Sequence, residues 1–306
     1  MKLLSFLFIV SCTFFAHEKV IASTTSSQDI TSSSFSQWLN AAYVAQAVYH
    51  SRDDIAAVLT SQGYTINQFH QLDGFLVTYV FATNNKTKHH ILAVRGTDNI
   101  ENIVVDSAFV LVPDKITGAD IHQGFLLSAK DMMQRILPDI QPGYKINTIG
   151  HSLGGATALV MAMLLDSKGY PIDKVVTFGQ PKVTNITGSR KFRHLNLKRL
   201  VTQKDIVPLV PPINPMNFMQ LSVFWPQGTE VILLHNNQYA LTTGIDSAKR
   251  ALDFLNDVPS EQHIKDHFMS SYISNLKSKL GTVKETKYKT DFNVMDWFGT
   301  ASPSKP

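Results

Sequence analysis

Serine 152 stands in Gly150-His151-Ser152-Leu153-Gly154, a G-x-S-x-G spacing. This spacing sets a serine at the tip of a sharp strand-to-helix turn, where flanking residues must be tiny for the two elements to approach. Gly150 and Gly154 supply the room. A serine hydroxyl is a poor nucleophile at neutral pH, so Ser152 needs an imidazole to take its proton and an acid to orient that imidazole. Asp205 fits the acid by position, after the run Leu200-Val201-Thr202 and before Ile206-Val207-Pro208, where a strand gives way to a loop. Asp166, Asp173, Asp246, Asp253 and Asp257 read instead as turn or helix-surface residues. His235, His263 and His267 follow Asp205 in the chain. His267 is preferred because it lies on the last connection into a helix, from which an imidazole can reach over the turn. His235 is equally explained as a strand-end residue and His263 as an exposed one. The chemistry is acyl transfer, which also needs donors for the oxyanion. The backbone N–H of Leu153 supplies one, and Thr97, following Arg95-Gly96 after an early strand, supplies a second.

These residues require particular elements around them. Lys145 to Ile149 read as a strand after the Pro142-Gly143 turn, and Leu153 to Leu165 as the helix that the serine turn opens. Leu76 to Phe81 and Ile91 to Val94 read as strands joined through Asn84-Asn85-Lys86-Thr87, with Arg95-Gly96-Thr97 at the end of the second. Lys174 to Phe178, Leu200 to Thr202 and Glu230 to Leu234 are further short strands, each followed by turn residues. Trp38 to Val48 and Ile55 to Leu59 have helical spacing, as does Phe268 to Leu280. The alternation predicts a mostly parallel central sheet with helices on both faces and functional loops at the carboxyl ends of its strands. With the order serine, acid, histidine, this is the α/β-hydrolase arrangement.

Composition narrows the function classes. The 306 residues are 44% hydrophobic, enough for a sizeable core. A net charge of +4 from 28 Lys+Arg and 24 Asp+Glu is too small and too dispersed for a nucleic-acid footprint. No zinc-type spacing is present, and the acyl-transfer set calls for no metal or cofactor. Met1-Lys2 and the apolar stretch Leu3 to Ala16 have the form of a secretory signal peptide spanning 1–22, cut after Ala22, which sends the protein to the periplasm or outside the cell. Ile9-Val10-Ser11-Cys12 offers the alternative of a lipoprotein anchored through Cys12, the only cysteine. Residues 23–34 form a Ser/Thr-rich linker, 35–280 the α/β-hydrolase domain, and 281–306 a disordered or loosely packed tail whose basic and aromatic residues, Lys284, Lys287, Tyr288 and Trp297 among them, alternatively suit a lipid surface.

Beyond the serine turn, the blocks Val94-Arg95-Gly96-Thr97, Ile121-His122-Gln123-Gly124-Phe125, Phe178-Gly179-Gln180-Pro181, Asp205-Ile206-Val207-Pro208 and Asp266-His267-Phe268-Met269-Ser270-Ser271-Tyr272 occur in order. With Gly150 to Ala156, they resemble the fungal-type class 3 lipases from about Phe35 to about Leu280. The resemblance implies Ser152, Asp205 and His267 as triad, with Thr97 and Leu153 at the oxyanion hole. Thr184 departs from the family's usual glycine and Ile103 from its usual lid aromatic, and the fungal enzymes' disulfides have no counterpart. Asn99 to Asp106 places Ile100, Ile103 and Val104 on one side of a short amphipathic stretch, a lid whose apolar side would meet lipid when open. The expectation is a secreted serine carboxylester hydrolase acting on lipid esters at a lipid–water interface, with triacylglycerol as substrate. A phospholipase A1 or short-chain esterase is the alternative, and a lipid-binding protein of the same fold the non-enzymatic one.

Overall fold

Short apolar runs become strands, and helices between them cover the sheet, in the computed structural model, which describes residues 30–72, 77–97, 109–211, 223–253 and 260–289. The expected leader 1–22, the lid stretch with Ile100, Ile103 and Val104, and residues 290–306 lie outside the described residues. The fold lies in the unit Thr31–Pro306. Helices α1 (Ser32–Ala47) and α2 (Arg52–Ser61) precede β1 (Thr65–Leu72), β2 (Val77–Asn84) and β3 (His89–Val94). Next come β4 (Leu111–Asp114), β5 (Ala119–His122), α3 (Gln123–Ile136), β6 (Lys145–His151), α4 (Leu153–Ser167) and β7 (Ile172–Phe178). They are followed by β8 (Thr184–Asn185), α5 (Ile186–Lys191), β9 (Leu197–Thr202), β10 (Phe224–Trp225), β11 (Thr229–Leu233) and β12 (Gln238–Thr243). Helices α6 (Gly244–Asp253), α7 (Glu261–His267) and α8 (Met269–Lys277) lead to β13 (Lys284–Glu285).

The main sheet has the order β1-β2-β3-β6-β7-β9-β11-β12-β13. Its centre, β3-β6-β7-β9-β11, is parallel throughout, and antiparallel pairs flank it at β1-β2, β2-β3 and β11-β12. Side chains alternate between faces along a strand. Leu92 and Val94 of β3 therefore join the core beneath α3 and α4, while Ile91 points the other way and lines a cavity with Trp38 and Ala41 of α1. Helix α4 is buried from Gly154 through Leu165, on every side. A helix apolar all round belongs inside a protein, and here it lies between the sheet and α3. Parallel strands carry their carboxyl ends, and the residues that follow, to one edge, so β3, β6, β7 and β9 deliver Gly96, Ser152, Gly179 and Asp205 together.

Several elements differ from expectation. The edge strand β1 was not foreseen because Asn67, Gln68, His70 and Gln71 leave it no apolar stripe, and β12 likewise reads weakly on its own. A second sheet, β10-β8-β5-β4, is made of strands too short to show a period. Helix α1 starts at Ser32, inside the expected linker, where the Thr31 N–H donates to Ser34 Oγ at 3.3 Å. The expected helix from Phe268 is two helices broken at that residue (φ −67°, ψ 145°), so His267 ends α7 rather than preceding a first turn. The described part of the tail is ordered against the sheet. Lys284 and Glu285 pair with Gln238 and Tyr239 of β12, and Tyr288 packs on Val201, Ile232 and Ala240. Among the described residues no helix is long and apolar enough to cross a membrane.

Candidate active site

Strand β6 turns into α4 at one strained residue. Ser152 has φ 56° and ψ −132°, a left-handed conformation that a residue with a Cβ enters at a cost of roughly 1–3 kcal/mol. Its N–H donates to the Phe178 carbonyl at 2.9 Å, and its carbonyl accepts from Ala156 N–H at 3.2 Å, so the turn is held from both sides. The glycines around it are sterically required. A Cβ on Gly150 would run into the Gly154 carbonyl, and one on Gly154 into the Val94 carbonyl. Strand β3 thus passes directly against the start of α4, bringing Gly96 to the serine: a Cβ there would lie 2.7 Å from the His151 carbonyl and 3.0 Å from Ser152 Cβ. Thr97, half-buried, is the next residue. Leu153 opens α4, where N–H groups lack helical partners and point outward with the positive end of the helix dipole.

Asp205 and His267 meet beside that turn. His267 Nδ1–H donates to Asp205 Oδ2 at 2.8 Å, Tyr272 O–H donates to the same oxygen at 2.5 Å, and Val207 N–H donates to Oδ1 at 2.9 Å. Both side chains are fully buried, as is Ser152. Burial alone would raise the Asp205 carboxyl, but the His267 charge and the hydrogen bonds from His267, Tyr272 and Val207 hold it below its ordinary value. The Tyr272 phenol is pushed well above its ordinary value by burial and by the Asp205 charge, so it remains a donor. With Nδ1–H committed to Asp205, Nε2 of His267 is left as the acceptor. Nε2 and Ser152 Oγ are both buried and make no hydrogen bond among the described residues. The arrangement offers an imidazole oriented by a carboxylate, next to a serine whose hydroxyl is not engaged elsewhere.

The structure gathers Ser152, Asp205 and His267 around Phe178-Gly179. His235 is exposed in the turn after β11, and His263 accepts from the Ser260 N–H at 3.2 Å. Asp166, Asp173 and Asp246 lie in pairs with His194, His89 and Lys249. Sequence reasoning missed Gly179 as a site residue. Its φ is +58°, and a Cβ there would lie 2.7 Å from both Asp205 Oδ2 and His267 Cε1. The sequence signals were its place directly after a strand and its part in the block Phe178-Gly179-Gln180-Pro181. Tyr272 was missed as well, because its 67-residue separation from Asp205 hides the contact. An apolar patch adjoins the serine: Val207 and Val210 are buried, with Phe109 and Leu153 packed against them.

Residues 91–215 match the family Lipase (class 3), a span that contains the serine turn, the Gly96-Thr97 loop and Asp205. Over these residues the chain is similar to the class 3 lipases. A lipase of Rhizopus niveus is 33% identical over 142 residues, covering 42% of this chain and 36% of the relative. The secreted mono- and diacylglycerol lipase 1 of Fusarium solani is 33% identical over 141 residues, covering 43% and 42%. The chain thus spans less than half the length of these curated relatives. Lipase II from Rhizopus niveus shares the fold, with a TM-score of 0.62 at 22% identity over 78% of this chain and 94% of that one. A triacylglycerol lipase described as having a serine protease triad for its catalytic centre superposes with a TM-score of 0.58 at 25% identity, over 68% and 83%. The chain therefore has the α/β-hydrolase fold. Where it departs from the family at Thr184, the hydroxyl donates to the Asp120 carbonyl at 2.6 Å and ties β8 to β5.

Proposed function

We propose that this protein is a class 3 lipase, a secreted serine carboxylester hydrolase that cleaves triacylglycerol by acyl transfer. The observation that carries the reading is the buried Asp205–His267 hydrogen bond of 2.8 Å beside the strained Ser152 turn. In the proposed cycle Ser152 Oγ attacks the ester carbonyl carbon while His267 Nε2 takes its proton. The N–H of Leu153 and Thr97 hold the resulting oxyanion. Collapse of the tetrahedral intermediate breaks the bond to the glycerol oxygen, which leaves with the proton from His267. Water then adds to the acyl-enzyme, its proton goes to His267, and the fatty acid departs as Ser152 regains its hydrogen.

The apolar patch of Phe109, Leu153, Val207 and Val210 suits an acyl chain, which gains roughly 0.8 kcal/mol per buried CH₂. Full burial of the three central side chains supports a reading in which a covering segment moves to admit substrate, and Asn99 to Asp106, next to Thr97 in sequence, is the proposed lid. Its Ile100, Ile103 and Val104 would enter lipid on opening, making a lipid–water interface the activating partner. The apolar leader and the secreted Fusarium relative support export. That relative also favours a second reading, in which mono- and diacylglycerols are the better substrates. A fluorophosphonate probe should label wild type on Ser152 and leave Ser152→Ala unlabelled. Initial rates on tri-, di- and monoacylglycerol and on phosphatidylcholine then separate the substrate classes. A folded wild type that neither labels nor hydrolyses any of them ends the hydrolase reading.

A further inference from the structure

Tyr49 follows the end of α1, far in sequence from every residue of the site, yet its hydroxyl lies inside it. The Gly96 N–H donates to Tyr49 Oη at 3.1 Å, and Tyr49 Oη lies 2.8 Å from His151 Nδ1. His151 Nε2 lies 2.7 Å from the His267 carbonyl oxygen. A carbonyl only accepts, so Nε2 carries the His151 proton and donates it there. Burial first, and then the His267 charge, lower the His151 ring to about 3, so it stays neutral and Nδ1 is an acceptor. Tyr49 must then donate to it. The direction of every bond follows: Gly96 N–H to Tyr49, Tyr49 O–H to His151, His151 N–H to the His267 carbonyl. Arg95 adds a cation–π contact, 5.3 Å from the Tyr49 ring centre, and the His151 and His267 rings stand 4.6 Å apart.

We propose that Tyr49 and His151 are positioning residues that join the oxyanion turn, the serine turn and the backbone of the base through one chain of three hydrogen bonds. The inference rests on the hydrolase reading above. Engaging the Gly96 N–H fixes the plane of the Arg95–Gly96 peptide and so anchors the start of the loop that carries Thr97. Engaging the His267 carbonyl holds the break between α7 and α8 that carries the imidazole. His151 is the neighbour of Ser152, so the serine sits between the two parts being aligned. Neither Tyr49 nor His151 needs to touch substrate, so their removal acts on rate more than on binding: displacements of about 1 Å around a reacting centre cost on the order of 10²-fold.

The test compares wild type with Tyr49→Phe, His151→Leu, the double variant and His151→Gln, whose carboxamide keeps an acceptor and a donor at similar separation. The readouts are kcat and KM on a soluble p-nitrophenyl ester, the rate of Ser152 labelling by a fluorophosphonate, and Tm. Each of the first two variants should lose roughly tenfold or more in kcat and in labelling rate with KM unchanged. The double variant should be about as slow as the slower single one, because the bonds act in series, and His151→Gln should recover most of the loss. Wild-type kcat in folded Tyr49→Phe overturns the proposal, as do losses that multiply in the double variant or fall on KM alone. Should His151→Leu fail to fold, Tyr49→Phe and His151→Gln decide the question. A wild type inert to the fluorophosphonate would remove the hydrolase reading itself, whereas a reactive wild type matched by Tyr49→Phe would remove only the positioning chain.

Discussion

Replacing Gly179 by alanine should slow turnover about a hundredfold while leaving every proposed reacting group in the protein. The methyl group would sit 2.7 Å from Asp205 Oδ2, 2.7 Å from His267 Cε1 and 2.8 Å from His267 Nδ1, and ordinary contact needs about 3.4 Å or more. Neither neighbour is free to yield. Asp205 is anchored by Tyr272 and by the Val207 N–H, and both side chains are fully buried. The relief is a shift of the imidazole by roughly 0.7 Å, which moves Nε2 relative to Ser152 and costs on the order of 10² in kcat. A second cost is conformational. Gly179 has φ +58°, where a residue with a Cβ is destabilised by roughly 1–2 kcal/mol. The assay is kcat/KM on a soluble ester alongside urea denaturation. The expected result is a protein a few kcal/mol less stable, still folded, and slower by about two orders of magnitude. A folded Gly179→Ala with kcat within a factor of two of wild type would show that the Asp205–His267 pair tolerates displacement, and the geometric argument would fail.

His267→Ala should lose nearly as much ester hydrolysis as Ser152→Ala, since triad members act as a unit, and His235→Ala should keep wild-type rates; the reverse pattern in the same assay would move the base to His235. Burial would raise the Glu230 carboxyl, but Arg250 and Arg199 pull it down from 4.5 to about 2. A folded-state value below the unfolded one stabilises the protein above the unfolded value, and that contribution is lost as pH falls from about 4.5 toward 2. About 2 kcal/mol of it is lost between pH 7 and pH 3, read by urea denaturation over that range. Glu230→Gln should flatten this dependence and destabilise at pH 7 by about 3–5 kcal/mol, because two buried guanidinium groups lose their counter-charge. If the lid opens into lipid, rate plotted against a sparingly soluble ester should turn upward at the solubility limit, and Ile103→Ser should remove the upturn; simple saturation in wild type refutes the lid.

What could be read from the sequence was what local chemistry makes visible. The serine turn announces itself because its residues are contiguous and Gly150 is demanded by Gly154 and Gly155, only a few residues on. Strand β7 is legible from Val175, Val176 and Phe178, and β6 from Ile146 and Ile149 between the Pro142-Gly143 turn and the serine turn. The polar edge strand β1 has one exposed face and few apolar residues, so its pairing with β2 supplies what its own pattern lacks. The break at Phe268 was invisible for another reason: the stretch around it has acceptable helical spacing, and tertiary contacts of His267 override it. Gly179, Tyr272 and Tyr49 owe their places to partners more than sixty residues away in sequence, or to a side chain packed into the space a Cβ would occupy. Such roles leave no periodic trace.

Several positions that violate local preference meet at the site. Ser152 holds a left-handed backbone, Gly179 another, and Ser152 Oγ and His267 Nε2 are buried without hydrogen bonds among the described residues. Strain of roughly 1–3 kcal/mol per residue persists only where the surroundings over-determine it. Here they do so by packing: α4, which begins at the strained serine, is buried from Gly154 to Leu165 between the sheet and α3. Burying a single Leu or Met side chain contributes roughly 1.5–3 kcal/mol, so relaxing the turn by tilting α4 would forfeit several such contributions to recover one. The same reasoning explains why the first turn of α4 is made of Gly154, Gly155 and Ala156. Bulkier residues there would push the helix away from β3 and remove the close approach that holds Gly96 against Ser152. Rigidity at this junction is therefore a property of the central helix and sheet, and any motion that admits substrate has to come from segments outside them.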